Sequence, residues 1–149
     1  MAGLLNLTGI DEFTAALDVI LADVDRATAD ATLVAADLVE KRARDNLGRL
    51  SHARGTRTPS APGEPPARIG GALQDSWQHS LPVPDGIGGW VCTLSSNLVY
   101  SSIQEVGGWA GRGHRSHLPP RPYLRPAVDL AAVEVRDAFM HAWAAALEA

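Results

Sequence analysis

A sustained repeat of apolar and small residues near the N-terminus restricts the folds open to this chain more than any other feature. The repeat steps alternately four and three positions, through Phe13, Leu17, Ile20, Val24, Ala27, Ala31, Val34 and Leu38. Such spacing lines one face of an α-helix. A helix over residues 11–47 would be about 55 Å long at 1.5 Å per residue, whereas a compact domain of 149 residues is roughly 40 Å across. The sequence therefore predicts a long helix that either breaks near Asn46 and Gly48 or packs partly on another subunit.

A second repeat near the C-terminus predicts the natural partner of the first helix. Its members lie three or four positions apart, at Val128, Ala132, Val135, Phe139, Trp143 and Leu147. Pro126 precedes them, and proline is favoured in the first turn of a helix. We expect a C-terminal helix over residues 126–147, packed against the first helix.

The segment between the helices has the pattern of strands. Residues 77–83 and 90–95 flank a run of turn-forming residues at 84–89, which predicts an antiparallel hairpin. A short helix is expected immediately before it. Together these elements predict one α+β domain over residues 1–149, in which a long N-terminal helix and a C-terminal helix pack on a small antiparallel sheet within residues 71–124.

Two basic segments follow neither pattern. Residues 50–69, the Pro/Arg arm, contain four prolines among Ser, Gly, Thr and Arg, so they cannot form a helix or a central strand. Residues 107–117 are rich in Gly, Arg and His, which predicts a loop. Loops longer than about 12–15 residues are uncommon unless they bind something or are disordered. We therefore expect both segments to become ordered only on an acidic surface.

Charged residues are segregated along the chain. Thirteen basic and seventeen acidic residues give a net charge of −4, but residues 11–40 carry eight acids against one arginine. Residues 41–68 carry seven bases against two acids, residues 112–125 carry four arginines and no acid, and residues 126–149 are acidic again. Where a patch on one subunit complements a different patch on the next, the interface is heterologous and closes a ring or grows a filament. The charge pattern thus favours assembly of copies into a ring.

Several other classes of protein are disfavoured. Cys92 is the single cysteine, which excludes a disulfide within the chain and indicates a reducing compartment. No apolar stretch approaches the roughly 18 residues of a membrane span, so we expect a soluble intracellular protein with no membrane contact. A metal-dependent hydrolase at His114 and His117 is the weakest alternative, because the further ligands of a zinc site are missing from the sequence pattern. We expect no enzyme activity, no cofactor and no bound metal.

The arginines leave two interpretations open. Nucleic-acid binding would interleave them with aromatic side chains as stacking platforms, but residues 50–69 contain no aromatic residue and Trp109 is the only one at 107–117. Contact with acidic protein surfaces fits better, because the chain itself supplies such surfaces. The alternative is a nucleic-acid-binding module that uses the same Arg-rich loops, with an affinity for DNA that falls steeply as salt is added.

Three phrases of the sequence resemble a known family. They are PGEPPARIGGALQDS at residues 62–76, VYSSIQEVGG at residues 99–108 and LPPRPYLRPAV at residues 118–128. In this order, and between a long amphipathic helix and a terminal helix, they are similar to phrases of the HK97 gp10-type family of phage neck and tail-completion proteins. The matching positions are Gly70 or Gly71, Leu73, Tyr100, Glu105, Gly107 and residues 121–127.

The resemblance implies a non-catalytic structural protein of the virion, located in the neck or tail of a tailed bacteriophage and assembled in the host cytoplasm. It would form a cyclic homo-oligomer, expected to be a hexamer, as part of the head-to-tail connector. Its partners would be adjacent connector or tail proteins, namely the head-closure or stopper protein, the tail terminator and the tail tube. Genomic DNA would pass through the channel without sequence-specific binding.

Prolines hold the third phrase extended, because each restricts its own backbone and that of the preceding residue. Arg121 and Arg125 would then form a fixed pair able to hold carboxylates bidentately, with Glu105 as a candidate partner. The alternative is a rigid turn that docks the last helix, and the two roles are compatible. The residues expected to contact a neighbouring subunit or partner are Arg54, Arg57, Arg68, Glu105, Arg112, Arg115, Arg121, Tyr123 and Arg125.

Overall fold

The computed structural model describes residues 8–148 and the side chains of residues 9–148. Its helices are α1 (Thr8–Gly48), α2 (Ala72–Asp75), α3 (Ser101–Val106) and α4 (Leu124–Glu148). Its strands are β1 (Trp77–His79), β2 (Val83–Pro84), β3 (Trp90–Val91), β4 (Leu94–Ser96), β5 (Gly108–Ala110) and β6 (Ser116–Leu118). The predicted α+β class is confirmed. None of the helices in this range combines the length and the hydropathy needed to cross a membrane.

The two long helices pack side by side in opposite directions. The side chain of Asn46, near the end of α1, donates a hydrogen bond to the backbone oxygen of Tyr123 (2.9 Å). Further along the pair, the indole of Trp143 donates to the hydroxyl of Thr28 (2.9 Å). The buried alanines of these helices are Ala31, Ala43, Ala127 and Ala131. Small side chains allow helix axes to approach closely, and the prediction of a paired N-terminal and C-terminal helix is confirmed.

The predicted hairpin is present but is divided into two ladders. β1 pairs with β4 and β2 pairs with β3, all antiparallel, and the register shifts by one residue between the ladders. Because of this shift, two residues on one side of the hairpin, Leu81 and Pro82, lie opposite one residue on the other, Cys92. This arrangement is a β-bulge, which bends the hairpin. At the turn, the Asp85 carboxylate accepts hydrogen bonds from the N–H groups of Ile87 (2.9 Å) and Gly89 (2.8 Å).

The prediction of a loop over residues 107–117 is wrong, because this segment forms most of a second hairpin. β5 pairs antiparallel with β6 from Gly108 and Leu118 at the base to Ala110 and Ser116 near the turn. The turn between them contains two glycines with positive φ, a backbone conformation that glycine adopts at no steric cost. Residues 8–148 thus hold three separate two-stranded sheets in place of one small sheet.

The core lies where α1 ends. Leu47, Trp77 and Tyr123 are its buried members, and the rings of Trp77 and Tyr123 meet edge to face with 5.8 Å between centroids. The half-buried apolar side chains packed against them are Leu73, Leu94 and Leu124. Helices α1, α2 and α4 and the first hairpin all contribute to this cluster, which therefore fixes their relative positions.

The Pro/Arg arm is held by its own chain. The N–H of Arg68 donates to the oxygen of Leu50 (2.7 Å) and the N–H of His52 donates to the oxygen of Arg68 (3.0 Å), which joins the two ends of the arm. The N–H of Gly63, in the middle of the arm, donates to the oxygen of Pro120 (3.0 Å). The expectation that the arm is ordered only by a partner is therefore wrong.

α1 extends beyond the end of α4. Every residue from 9 to 22 is exposed, and we call this segment the overhang. It is about four turns and about 20 Å long. The overhang carries Phe13, Leu17 and Ile20, which belong to the same repeat as Ala31, a buried residue of the helix pair. The side chain of Phe13 is 64% exposed. Of the two alternatives for the long helix, the structure has an unbroken helix that projects beyond its own domain.

Candidate functional site

The third phrase forms the entrance to α4, and Glu105 holds it in place. The Glu105 carboxylate accepts hydrogen bonds from the backbone N–H groups of Tyr123 (2.8 Å), Leu124 (2.9 Å) and Arg125 (2.9 Å). The first N–H groups of a helix have no partner within the helix, and an anion at this end is also favoured by the helix dipole. Pro126 has no N–H and needs no acceptor. Glu105 thus caps α4 from α3, and its predicted pairing with an arginine is not what the structure has.

Tyr123 belongs to the core and is not a surface contact. It is 1% exposed, and its hydroxyl donates to the backbone oxygen of Ser101 (3.1 Å). Burial, and to a smaller degree the charge of Glu105, raises the pKa of the Tyr123 phenol. The prediction that Tyr123 touches a neighbouring subunit is therefore wrong: the bonds of its N–H to Glu105 and of its hydroxyl to Ser101 hold the side chain in the core.

Arg121 is buried as well, at 5% exposed. Its backbone N–H donates to the oxygen of Gln104 (2.8 Å), and its Nε donates to the oxygen of Ser60 (3.1 Å). Within the described residues it takes part in no ion pair. The side chain lines a cavity of about 270 Å³ between the Pro/Arg arm and α3. Arg121 therefore ties the arm to the entrance of α4, and it does not form a surface pair with Arg125, which is exposed.

The remaining predicted contact residues are exposed and form two groups. Arg54, Arg57 and Arg68 lie on the Pro/Arg arm, close to the C-terminal end of α1. Arg112 and Arg115 lie at the turn of the second hairpin. The structure therefore keeps these arginines available to a partner, but it places them on two different projections of the fold.

A polar cluster with little signal in the sequence lies between α1 and β1. His79 meets the carboxylate of Glu40 (2.6 Å) and approaches that of Asp37 (3.5 Å). Arg44 pairs with Glu40 (2.8 Å) and donates to the backbone oxygen of Trp77 (2.6 Å). The spacing of Glu40 and Arg44, four apart on one helix, is the only sequence signal for it. The cluster fastens β1 to α1.

The groups considered for catalysis or metal binding remain apart. Cys92 is half-buried, and burial together with the nearby Asp37 raises the pKa of its thiol, which disfavours the reactive thiolate. His114 and His117 are both exposed on the second hairpin. Across residues 8–148, no group of three or more His, Cys, Asp and Glu side chains is arranged to hold a metal ion.

The features most relevant to function are therefore an exposed apolar and acidic overhang, a basic arm near the opposite end of α1, and a buried arginine beside a cavity. The arm, the cavity and the α4 entrance meet at one end of the molecule, and the overhang lies at the other. The chain matches no protein-family model, no curated protein and no solved structure.

Proposed function

We propose that this chain is a non-catalytic structural protein of a tailed phage or prophage, and that copies of it form a ring, expected to be a hexamer, in the head-to-tail connector or tail-completion layer. The observation that carries the proposal is the overhang. Phe13, Leu17 and Ile20 present an apolar stripe to solvent, although the same stripe is covered by α4 further along the helix. A subunit of this form has an unsatisfied surface that association would bury.

The three phrases that resemble the phage neck and tail-completion family support the same proposal. In the folded chain, Glu105 of the second phrase caps the helix that the third phrase begins. Gly107 of the second phrase packs against the third so closely that a Cβ would lie 2.8 Å from the oxygen of Leu118. The first phrase contains much of the arm and all of α2. The N–H of Gly63 in the first phrase donates to the oxygen of Pro120 in the third (3.0 Å), so the three phrases contact one another in the fold.

The proposal is tested by locating the protein in particles. Antibody against this chain, with gold-labelled detection, should mark the neck or tail of virions induced from the strain that encodes it. Deletion of the gene should give separate heads and tails, and the wild-type gene should restore joined particles. Infectious particles that lack the protein, or label away from the neck and tail, would contradict the proposal.

A variant of the overhang tests the observation itself. Phe13→Ser/Leu17→Ser/Ile20→Ser should leave a folded chain, because these exposed side chains are not part of the hydrophobic core, but should not restore joined particles. The matched control is Val19→Ser/Ile87→Ser/Val99→Ser, which alters three exposed apolar residues off the stripe and should restore them.

A second candidate function, nucleic-acid binding, is favoured by the second hairpin. Trp109 is 60% exposed there, and the exposed Arg112 and Arg115 lie on the same hairpin. Aromatic faces beside cations form stacking platforms for single strands. This candidate predicts that the chain binds single-stranded DNA in a salt-dependent way and that Trp109→Ala abolishes the binding. The ring proposal predicts that the free subunit has little affinity for DNA.

A further inference from the structure

The cavity beside Arg121 has the character of an anion site. Moving a charged group out of water is costly unless the charge is paired and hydrogen-bonded. Arg121 is 5% exposed, yet its guanidinium has the oxygen of Ser60 as its sole acceptor among residues 8–148. The cavity that it lines also contains Arg57 and His52. A buried cation with unused donors beside an open space is the arrangement expected of a site that an oxyanion completes.

We propose that this cavity receives a carboxylate from the overhang of a second copy of the chain. The inference rests on the proposed function, which requires copies to touch, and it names the contact. The residues that would supply the carboxylate are Asp11, Glu12 and Asp18. Between residues 9 and 25 the chain carries five acids and no base, whereas the Pro/Arg arm with Arg49 carries four arginines against one acid.

The overhang of the same chain does not reach the cavity, and no Asp or Glu of the described residues lines it. α1 is an unbroken helix, and about 50 Å separate Phe13 from Leu47 along it at 1.5 Å per residue. Leu47 belongs to the core beside the α4 entrance, so the overhang and the cavity lie at opposite ends. The contact is therefore between copies and heterologous, and repeating it closes a ring or extends a filament.

The shape of the cavity favours a protein carboxylate over a phosphate of duplex DNA. The cavity is an open pocket of about 270 Å³ with room for one side chain, and the Arg121 guanidinium in its wall is 5% exposed, so an anion has to reach into the pocket to meet it. Phosphates of a duplex are attached to a broad, stiff backbone and suit exposed arginines better. Arg guanidinium groups bind carboxylates through two parallel hydrogen bonds, which a slender Asp or Glu side chain can bring into the cavity.

Complementation between two variants of the full-length chain tests the contact by sedimentation velocity. Arg121→Gln keeps the overhang and loses the receiving cation. Asp11→Asn/Glu12→Gln/Asp18→Asn keeps the cavity and loses the carboxylates. Each variant alone should associate at least about thirtyfold more weakly than wild type, as expected for truncation of one member of a buried charged pair. An equimolar mixture should form a one-to-one heterodimer that does not grow further.

Matched controls separate this contact from general charge and folding effects. Arg125→Gln removes an exposed cation four residues away, and Asp45→Asn/Asp129→Asn/Glu148→Gln removes three exposed acids outside the overhang. Both should associate as wild type does. Formation of the heterodimer itself shows that Arg121→Gln is folded, and the circular dichroism spectrum of each variant gives an independent check.

Several results would overturn the inference. They are a wild-type chain that stays monomeric up to about 1 mM, single variants that associate as wild type does, and a mixture that forms no heterodimer. Binding of duplex DNA that depends on Arg121 while self-association does not would overturn it too. Failure of the phage proposal is distinguishable: the heterodimer would still form, but the protein would be absent from virions.

Discussion

Replacing Glu105 is the most direct test of how the α4 entrance is built. Its carboxylate accepts three backbone hydrogen bonds, of 2.8, 2.9 and 2.9 Å. Each contributes about 1 kcal/mol net, so Glu105→Ala should lower the free energy of unfolding by about 3 kcal/mol. Glu105→Gln keeps one acceptor oxygen but brings an amide donor against the remaining N–H and removes the charge at the helix N-terminus, which should cost about 2 kcal/mol.

The assay is thermal unfolding of the full chain followed by circular dichroism. For a chain of this size, 1 kcal/mol corresponds to a change in Tm of about 2–4 °C, so Glu105→Ala should lower Tm by roughly 6–12 °C. Amide hydrogen exchange should show loss of protection at residues 123–125. Glu64→Gln, at an exposed glutamate, is the control and should change Tm by less than about 2 °C. A Glu105→Gln protein with the Tm of wild type would refute the capping role.

Three further predictions concern single residues. Tyr123→Phe should lower the free energy of unfolding by about 1 kcal/mol at pH 7, because the hydrogen bond to Ser101 is lost. The pKa of Tyr123 is raised in the folded state above 10.0, so wild type loses stability as the pH rises above that value. Urea titrations at pH 7 and 11 should therefore show a smaller difference in free energy of unfolding between wild type and Tyr123→Phe at pH 11. Gly107→Ala should cost about 3 kcal/mol, since the added Cβ meets backbone at a positive φ, whereas Gly70→Ala, with open space around it, should be nearly neutral in the same titration. Asp85→Asn should destabilise the chain at pH 7. Hydrogen bonds from backbone N–H groups lower the pKa of Asp85 in the folded state, so the difference in stability between wild type and Asp85→Asn should disappear as the pH falls through that pKa. Equal urea midpoints for the two proteins at pH 7 would contradict this role of Asp85.

The parts of the fold with a clear period were predictable from the sequence. The repeats in the two long helices identify both elements and their pairing, because burial of an apolar stripe is the main constraint on such helices. The repeats do not mark the buried face residue by residue: apart from the overhang, Val34 is 45% and Val128 48% exposed, and the buried residues of α4 are Ala127 and Ala131. A straight helix drifts about 20° per heptad, so a strict seven-residue spacing moves off the contact after a few turns.

Segments governed by backbone hydrogen bonds were not predictable in the same way. The Pro/Arg arm has no period, yet the hydrogen bond from Arg68 to Leu50 joins its two ends, and single bonds of Gly63 and Arg121 attach it to the rest of the chain. The second hairpin is short and depends on glycine conformation at its turn. Composition correctly excludes a helix or a central strand in the arm, but it does not reveal which carbonyl oxygen each donor will find.

The candidate site shows why arginine position alone does not identify an interface. Arg121 and Arg125 are four residues apart in one phrase, and both have the chemistry to bind carboxylates. The cap from Glu105 fixes the direction of the chain between them, and that direction buries Arg121 and exposes Arg125. The decisive residue is thus a glutamate from another helix, which no spacing rule within the phrase can indicate.

Two features of the isolated subunit lower its stability, and they lie at opposite ends of α1. An exposed apolar stripe on the overhang forgoes the gain of about 25 cal/mol per Å² that burial would provide, and a buried cation without a carboxylate carries a desolvation cost. Departures from the usual rules of folding concentrate at functional positions. In the proposed head-to-tail contact each feature relieves the other, because an acidic helix end enters the cavity of the next copy as its apolar stripe is covered. The contact should therefore weaken when salt screens the charges and also when Phe13 and Leu17 are made polar. A contact that responds to only one of these two changes would contradict the view that charge pairing and apolar burial both stabilise it.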